Sequence, residues 1–398
     1  MINLGDVEAA RKRVAPVLRP TPVRLSNSLS QLTGRRILLK PEYEQRTGSF
    51  KIRGAYNRIA QLPPGVDVVA ASAGNHAQGV ALAATETGRH ATIFMPDSAS
   101  LPKVNATRGY GATVRLEGDA VDDCIRMAKA WAAEHGAVYV PPFDDPAVIA
   151  GQGTVGLEIA DEAPEAQVVV VPAGGGGLLS GVATALAGCR RSIRVVGVEA
   201  AGAPTIAEAV KVGHPVTLPT LATMADGIAV RATSELIIEH VQAFVDDVVT
   251  VDEEEISHAM LLAVERAKAV VEPSGAVALA ALLAGKVPGL GPAVAILSGG
   301  NVDPLLLTKL IEHGLAAAGR YLSLRIVTAD RPGALAALTT ELARLGLNVL
   351  DVVHHRSSRA LHVAEVEVQV TVETTDEAQH AAVVSSLEAA GYRVRPVA

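Results

Sequence analysis

Aromatic side chains are scarce in this chain of 398 residues: Phe, Tyr and Trp make up 3% of it, with a single tryptophan. The interior must therefore be built from Ala, Val, Leu and Ile, and a hydrophobic content of 49% supplies enough for a large core. Cysteine is scarcer still. Cys124 and Cys189 fall in unrelated helical stretches and fit no metal-ligand spacing, so neither a disulfide scaffold nor a metal is expected. Lys and Arg form no dense tract, and the net charge of −7 is spread along the chain, which argues against a nucleic-acid partner. No apolar run approaches the ~20 residues of a spanning helix, so no membrane partner is expected. Met1 to Asp6 lack the basic start and apolar core of a signal peptide, and a cytoplasmic location is expected. No Gly-x-Gly-x-x-Gly follows a first strand, which speaks against a nicotinamide enzyme, and the Gly-Lys-Ser/Thr of a P-loop is missing.

What the chain does contain is a regular alternation. From Val66 to Val140 short β-branched runs (66–71, 91–95, 112–116, 137–140) alternate with helical stretches (77–87, 103–108, 120–134). The pattern resumes with a helix at 155–161, nearly all-valine or apolar strands at 167–171, 194–198 and 293–297, a strand at 243–251 and a helix from Asp252 to Lys268. Strands separated by crossover helices predict an α/β architecture with mostly parallel sheets. After Gly314–Arg320 the pattern changes to a strand at 322–326, a helix closed by Gly346, strands at 348–354 and 366–372, a helix at 376–390 and a last strand. That order, βαββαβ, predicts a C-terminal α+β module of the ferredoxin-like kind.

Four stretches can carry chemistry. Lys51 stands between Phe50 and Ile52, and an apolar setting disfavours its ammonium form and leaves an amine able to condense with an aldehyde. The alternative is a lysine opening a surface helix. Gly174, Gly175, Gly176 and Gly177, followed by Leu178, lie between a buried strand and a helix; backbone N–H groups can converge there on a phosphate, or the glycines can serve a tight turn. Ser72-Ala73-Gly74-Asn75-His76 closes a strand and begins a helix, which suits a carboxylate or an ordinary N-cap, and His76 is either an acid/base or a structural residue. Ser298-Gly299-Gly300-Asn301 ends another buried strand, where ligands of parallel sheets bind. A phosphate anchor together with an apolar lysine points to pyridoxal 5'-phosphate (PLP).

These motifs, in this order, resemble the threonine dehydratase family of PLP enzymes of the second fold type over residues 1 to about 318. The resemblance implies two open α/β sheets with the cofactor cleft between them, in a catalytic domain at 1–318 whose smaller part is roughly 40–150. It implies Lys51 as the catalytic, cofactor-binding lysine, with Phe50 packed beside the ring. Gly174 to Leu178 hold the phosphate, and Asn75 and Ser298 contact the ring. Ser72, Gly74, Asn75 and His76 line the substrate carboxylate site. The activity implied is dehydration and deamination of L-threonine to 2-oxobutanoate and ammonia, with L-serine giving pyruvate. Serine racemases carry a second serine where this chain has Ala73, so two-sided proton exchange is not expected. In metal-dependent members Glu199 and Ala203 match two ligands, but Thr205 stands at the position of the third. The alternatives are a catabolic serine/threonine dehydratase with little feedback control, a serine racemase, or a non-catalytic amino-acid sensor.

A linker at 319–321 and the module at 322–398, with Asp330-Arg331-Pro332-Gly333 at its first turn, resemble an ACT domain, a family that binds amino acids at domain interfaces. That implies an amino-acid effector, isoleucine with valine as antagonist, at Asp330, Gly333, Asn348 and Val349. It also implies a homo-oligomer, dimer or tetramer, at the first step of isoleucine synthesis.

Overall fold

A computed structural model describes residues 1–189, 192–317, 319–355 and 361–397. The chain divides into two compact units, Met1–Pro304 and Leu305–Ala398. The helix Pro304–Ala317, which lies inside the catalytic domain expected at 1–318, falls almost wholly in the second unit. Residue 318, the expected domain end, and residue 398 lie outside the described residues.

The first unit holds strands β1 (Arg24–Leu25), β2 (Ile37–Pro41), β3 (Val68–Ala71), β4 (Ala91–Met95), β5 (Thr113–Leu116), β6 (Val138–Tyr139), β7 (Val168–Pro172), β8 (Arg194–Ala200), β9 (Asp247–Val251) and β10 (Ala293–Leu297). They form a six-stranded sheet in the order β1-β2-β10-β7-β8-β9 and a four-stranded sheet in the order β5-β4-β3-β6. Every pairing is parallel except β1 with β2. All five residues of β2, β4, β7 and β10 are buried, as strands covered by helices on both faces must be.

The helix that begins at Lys51 (Lys51–Ile59) is held on two sides by glycine contacts. A Cβ on Gly79, in the helix Asn75–Glu86, would lie 3.1 Å from the Lys51 carbonyl carbon. A Cβ on Gly151, in the helix Pro146–Glu162, would lie 2.5 Å from the Arg53 carbonyl oxygen and 2.7 Å from Gly54 Cα. Backbone meets backbone at both crossings, so the start of this helix has little room to move.

Several elements depart from the expectation. The helix expected at 155–161 starts at Pro146, where Asp145 Oδ1 accepts the N–H groups of Ala147 (2.8 Å) and Val148 (3.1 Å). Its glycines lower helix propensity, and close packing overrides that cost. Helices at Asn27–Thr33, Thr205–Val212, Glu235–Phe244 and Pro273–Leu283 add to the expected set. The last is buried from Pro273 to Leu282 and so shows no polar face to reveal its period. Glu235–Phe244 also takes the first residues expected for β9. The helix after Asp252 is α-helical to Leu262, then makes a π-turn through Ala267 that ends on Lys268 at φ 57°.

In the second unit β11 (Tyr321–Ala329), β12 (Val349–His355), β13 (Glu365–Glu373) and β14 (Arg393–Pro396) form an antiparallel sheet in the order β12-β13-β11-β14. Val366, Val368, Val370 and Val372 are buried on one face of β13, the last three in a core shared with Leu324, Ile326, Leu338, Leu342 and Leu387. This is the ferredoxin-like arrangement expected of the period-two pattern. Among the described residues no helix is long and apolar enough to cross a membrane.

Candidate active site

The carboxyl ends of β3, β7 and β10 and the start of the Lys51 helix open on one cavity of about 770 Å³. That volume suits a small organic cofactor together with a small substrate. Phe50, Lys51, Ser72, Gly74, Asn75, His76, the four glycines, Leu178 and Ser298 all line it. The predicted catalytic, cofactor and carboxylate residues are thus brought together.

Lys51 is placed by pairing between two loops. Gly300 N–H donates to the Gly48 carbonyl (2.9 Å), and Phe50 N–H donates to the Ser298 carbonyl (3.1 Å). Gly48 has φ 71°, and a Cβ there would meet Asn301 Oδ1 at 2.4 Å, so glycine is required. The Lys51 Nζ donates to the Pro142 carbonyl at 3.0 Å and lies 5.2 Å from the Phe50 ring centroid. Burial pulls its pKa down to about 8, against the raising influence of Glu272. A sizeable neutral-amine fraction near pH 7 follows, which is what attack on an aldehyde requires.

Opposite stands the glycine loop. The helix Gly177–Cys189 begins there, and the N–H groups of Gly174, Gly175, Gly176, Gly177 and Leu178 meet no acceptor among the described residues although all five residues are buried. Buried N–H groups need a partner, and a helix N-terminus favours an anion. The glycines are required twice over. A Cβ on Gly175 would fall 2.1 Å from the Phe143 ring, and Gly176 takes φ 90°. The cradle therefore fits a phosphate.

At the end of β3, Ser72 Oγ accepts the Gly74 N–H (3.1 Å), and the N–H groups of Asn75 and His76 open the helix Asn75–Glu86 with no acceptor among the described residues. The His76 ring turns away and donates from Nε2 to the Val140 carbonyl (2.9 Å). Burial, with Lys51 nearby, drives its pKa down to about 3, so the ring is neutral and its backbone N–H is what faces an anion. Ser298 Oγ donates weakly to the Ser274 carbonyl at 3.4 Å.

Glu272 is a cavity residue that no motif reveals, and Asn301, the last residue of the Ser298 motif, is one to which the sequence assigns no role. Asn75 Nδ2 donates to Glu272 Oε1 (2.5 Å), and Asn301 Nδ2 donates to Asn75 Oδ1 (2.7 Å) and to the Thr47 carbonyl (2.8 Å). Asn301 was within reach of sequence reasoning, because it closes the Ser298 motif; Glu272 was not. Glu199 serves the fold, since its two oxygens accept the N–H groups of Ile206 (2.7 Å) and Ala207 (2.8 Å), and Thr205 donates to the Val230 carbonyl.

The four expected effector residues are not gathered within the second unit. Asp330 follows the end of β11, and Gly333 (φ 87°) caps the helix Ala334–Arg344 beside it. Asn348 and Val349 start β12, which the register aligns with Val372 and hence with the opposite end of β11. Some seven residues of strand separate the two pairs, roughly 20 Å. A ligand touching both groups would need more than one copy of this module.

Comparison with known proteins agrees with this geometry. Residues 14–299 match the family model described as pyridoxal-phosphate dependent enzyme, and residues 322–391 match the ACT domain. The L-threonine ammonia-lyase of Thermotoga maritima is 45% identical, covering 100% of both chains. A protein of Staphylococcus aureus named L-threonine dehydratase catabolic TdcB is 43% identical over 80% of this chain and 94% of its own. The crystal structure of a T.th. threonine deaminase superposes with a TM-score of 0.73 at 39% identity, covering 76% of this chain and 99% of that one. With its lysine, glycine cradle and C-terminal sheet accounted for, the chain belongs to the pyridoxal-phosphate dependent enzyme family, takes PLP as its cofactor and carries an ACT domain.

Proposed function

We propose that this enzyme converts L-threonine to 2-oxobutanoate and ammonia, and L-serine more slowly to pyruvate and ammonia. The observation that carries the reading is one cavity shared by a Lys51 amine of lowered pKa, the cradle of unpaired N–H groups at Gly174–Leu178 and the N–H turn at Asn75–His76. It is supported by relatives named for threonine that align along the whole chain.

PLP, when bound, supplies an aldehyde that condenses with amines and an electron sink for the carbon beside them. Everything else falls to the chain. Gly174 to Leu178 would hold the phosphate, Lys51 the aldehyde carbon, and Phe50 would pack beside the ring. Asn75 would donate to the phenolic oxygen. Ser298 would offer the ring nitrogen a neutral hydroxyl, which would not keep it protonated and so would favour elimination. The substrate carboxylate docks on the N–H groups of Asn75 and His76 beside Ser72 and Gly74. The Lys51 amine would take the Cα proton as general base. Ala73 offers no titratable group for the opposite face, so racemisation is disfavoured.

Purified enzyme with PLP is expected to show visible absorbance and to form 2-oxobutanoate from threonine. One methyl group discriminates by only about 1–3 kcal/mol, so serine is expected to follow within roughly two orders of magnitude in kcat/KM. A preparation that binds PLP but releases no 2-oxoacid from either amino acid would sink the reading.

The ACT domain makes the enzyme, in this proposal, a feedback-controlled one acting at the start of isoleucine synthesis, as a homo-oligomer in the cytoplasm. The catabolic relatives from Staphylococcus aureus align over 80% of this chain, whereas the relatives named L-threonine ammonia-lyase align over 99–100% of it. Isoleucine bound between paired modules shifts the oligomer between two states, with valine as antagonist. Deleting the residues after Arg320 is expected to leave turnover within a few-fold and to abolish the isoleucine response in a steady-state assay. An isoleucine response that survives the deletion would rule this site out.

A further inference from the structure

Asn75 faces the cavity with an amide whose two ends differ, an oxygen that only accepts and a nitrogen that only donates. Its orientation is fixed by a chain of four groups. The Thr47 carbonyl can only accept, so the group beside it must be Asn301 Nδ2 (2.8 Å). That same nitrogen then donates to Asn75 Oδ1 (2.7 Å), and Asn75 Nδ2 is left to donate to Glu272 Oε1 (2.5 Å). An ionised Glu272 is again an obligate acceptor. Turning the Asn75 amide over would set oxygen against carboxylate and nitrogen against nitrogen. One Asn75 hydrogen is committed to Glu272, and the second remains for the cavity.

Glu272 is built for this contact rather than for its own helix. It stands at the N-cap of Pro273–Leu283, yet its side chain makes no capping bond there. It is buried, and it reaches across to a residue on the four-stranded side of the unit. Gly299 leaves the room: a Cβ there would lie 2.2 Å from Glu272 Oε1 and 3.0 Å from Asn75 Nδ2. The Gly299 carbonyl accepts the Glu272 N–H at 3.1 Å, which locks the carboxylate's starting point.

We propose that Glu272 is a positioning residue: with Asn301 it dictates which end of the Asn75 amide faces the cavity, so that an N–H and not a carbonyl meets the phenolic oxygen of PLP. The proposal rests on the reading of Asn75 as a ring contact. It adds a pH dependence. Burial, then Asp226, raises the Glu272 pKa to about 7, opposed by the Asn75 bond, Lys103 and Lys51. The His76 ring is neutral and contributes no charge. Below about pH 7 the carboxyl gains a proton, the charged acceptor for Asn75 Nδ2 is lost, and the amide is held in place by Asn301 alone.

The test uses full-length holoenzyme and the Glu272→Gln and Glu272→Leu variants. The readouts are the visible spectrum of bound PLP against pH, the PLP dissociation constant and the melting temperature of the apoenzyme. Wild type is expected to show a spectral transition near pH 7 that Glu272→Gln lacks. PLP is expected to dissociate about tenfold more readily from Glu272→Gln, and more so from Glu272→Leu, the loss of one charged hydrogen bond. Apoenzyme melting is expected to stay within a few degrees. Spectra and PLP affinity matching wild type at every pH would overturn the proposal. So would a lowered apoenzyme melting temperature with an unchanged spectrum, which would assign Glu272 to the fold alone. If Glu272→Leu does not fold, the isosteric Glu272→Gln decides. Wild type with no visible PLP band would instead remove the underlying reading of the site, and the proposal with it.

Discussion

Lys51→Ala is expected to fold, to lack the shifted absorbance band that PLP acquires on joining the lysine, and to lose threonine turnover by on the order of 10⁴-fold or more. Two roles vanish with one nitrogen. The covalent hold on the aldehyde carbon goes, and so does the base that takes the Cα proton. The surroundings offer no substitute: the His76 ring is committed to the Val140 carbonyl and held neutral, and Glu272 is tied to Asn75. The scaffold should tolerate the change, because among the described residues Lys51 Nζ makes a single hydrogen bond, to the Pro142 carbonyl, and alanine suits a helix start. In the wild-type apoenzyme the same amine predicts a pH-dependent capture of PLP. Its pKa lies near 8, below the usual lysine value, so the reactive neutral fraction grows with pH, reaches half near pH 8 and levels off only about a unit above that. Stopped-flow absorbance from pH 6 to 9 checks this directly. A Lys51→Ala protein that still shows the shifted band with PLP and turns over threonine would refute the assignment of this lysine.

Much of this site is legible in the sequence because its motifs are local. Lys51 lies beside Phe50, and four glycines stand together between an apolar strand and a helix; each needs a backbone feature that neighbouring residues announce. The same is true of the alternating valines of β13, where a period of two cannot be mistaken. Glu272 was hidden for the opposite reason. A lone acidic residue before a proline reads as a helix start, and its partner Asn75 lies 197 positions away. Phe143, against which Gly175 and Gly177 are fitted, belongs to a loop with no pattern of its own. The helix Pro146–Glu162 begins earlier than its pattern suggests because Gly151, Gly153 and Gly156 weaken its local signal. Those glycines exist for contacts with Arg53, Gly54, Gly181 and Val182, which the linear sequence cannot display.

Arg53→Met is expected to destabilise the first unit by about 3–5 kcal/mol, although methionine fits a helix and replaces much of the buried bulk. Arg53 is fully buried two residues beyond Lys51. It donates from Nε and Nη2 to both oxygens of Glu42 (2.8 Å each) and from Nη1 and Nη2 to those of Glu158 (2.6 and 2.9 Å). Lys40, also fully buried, supplies the second positive charge, 2.5 Å from Glu158. Two buried cations thus face Glu42 and Glu158, with the partly exposed Glu162 3.8 Å from Lys40. Burial alone would lower the Arg53 pKa, but Glu42 and Glu158 outweigh it and hold the guanidinium charged. Removing the guanidinium leaves the Glu42 carboxylate in the interior with the Thr21 hydroxyl (2.7 Å) as its remaining side-chain partner. Lysine is no remedy, because a single ammonium cannot grip two carboxylates in fork geometry. Adding Glu42→Gln to Arg53→Met should restore part of the loss at neutral pH, since the stranded charge is then gone. Denaturant titration of the single and double variants separates these terms. A single variant as stable as wild type at pH 8 would mean that the cluster does not hold the Lys51 helix in place.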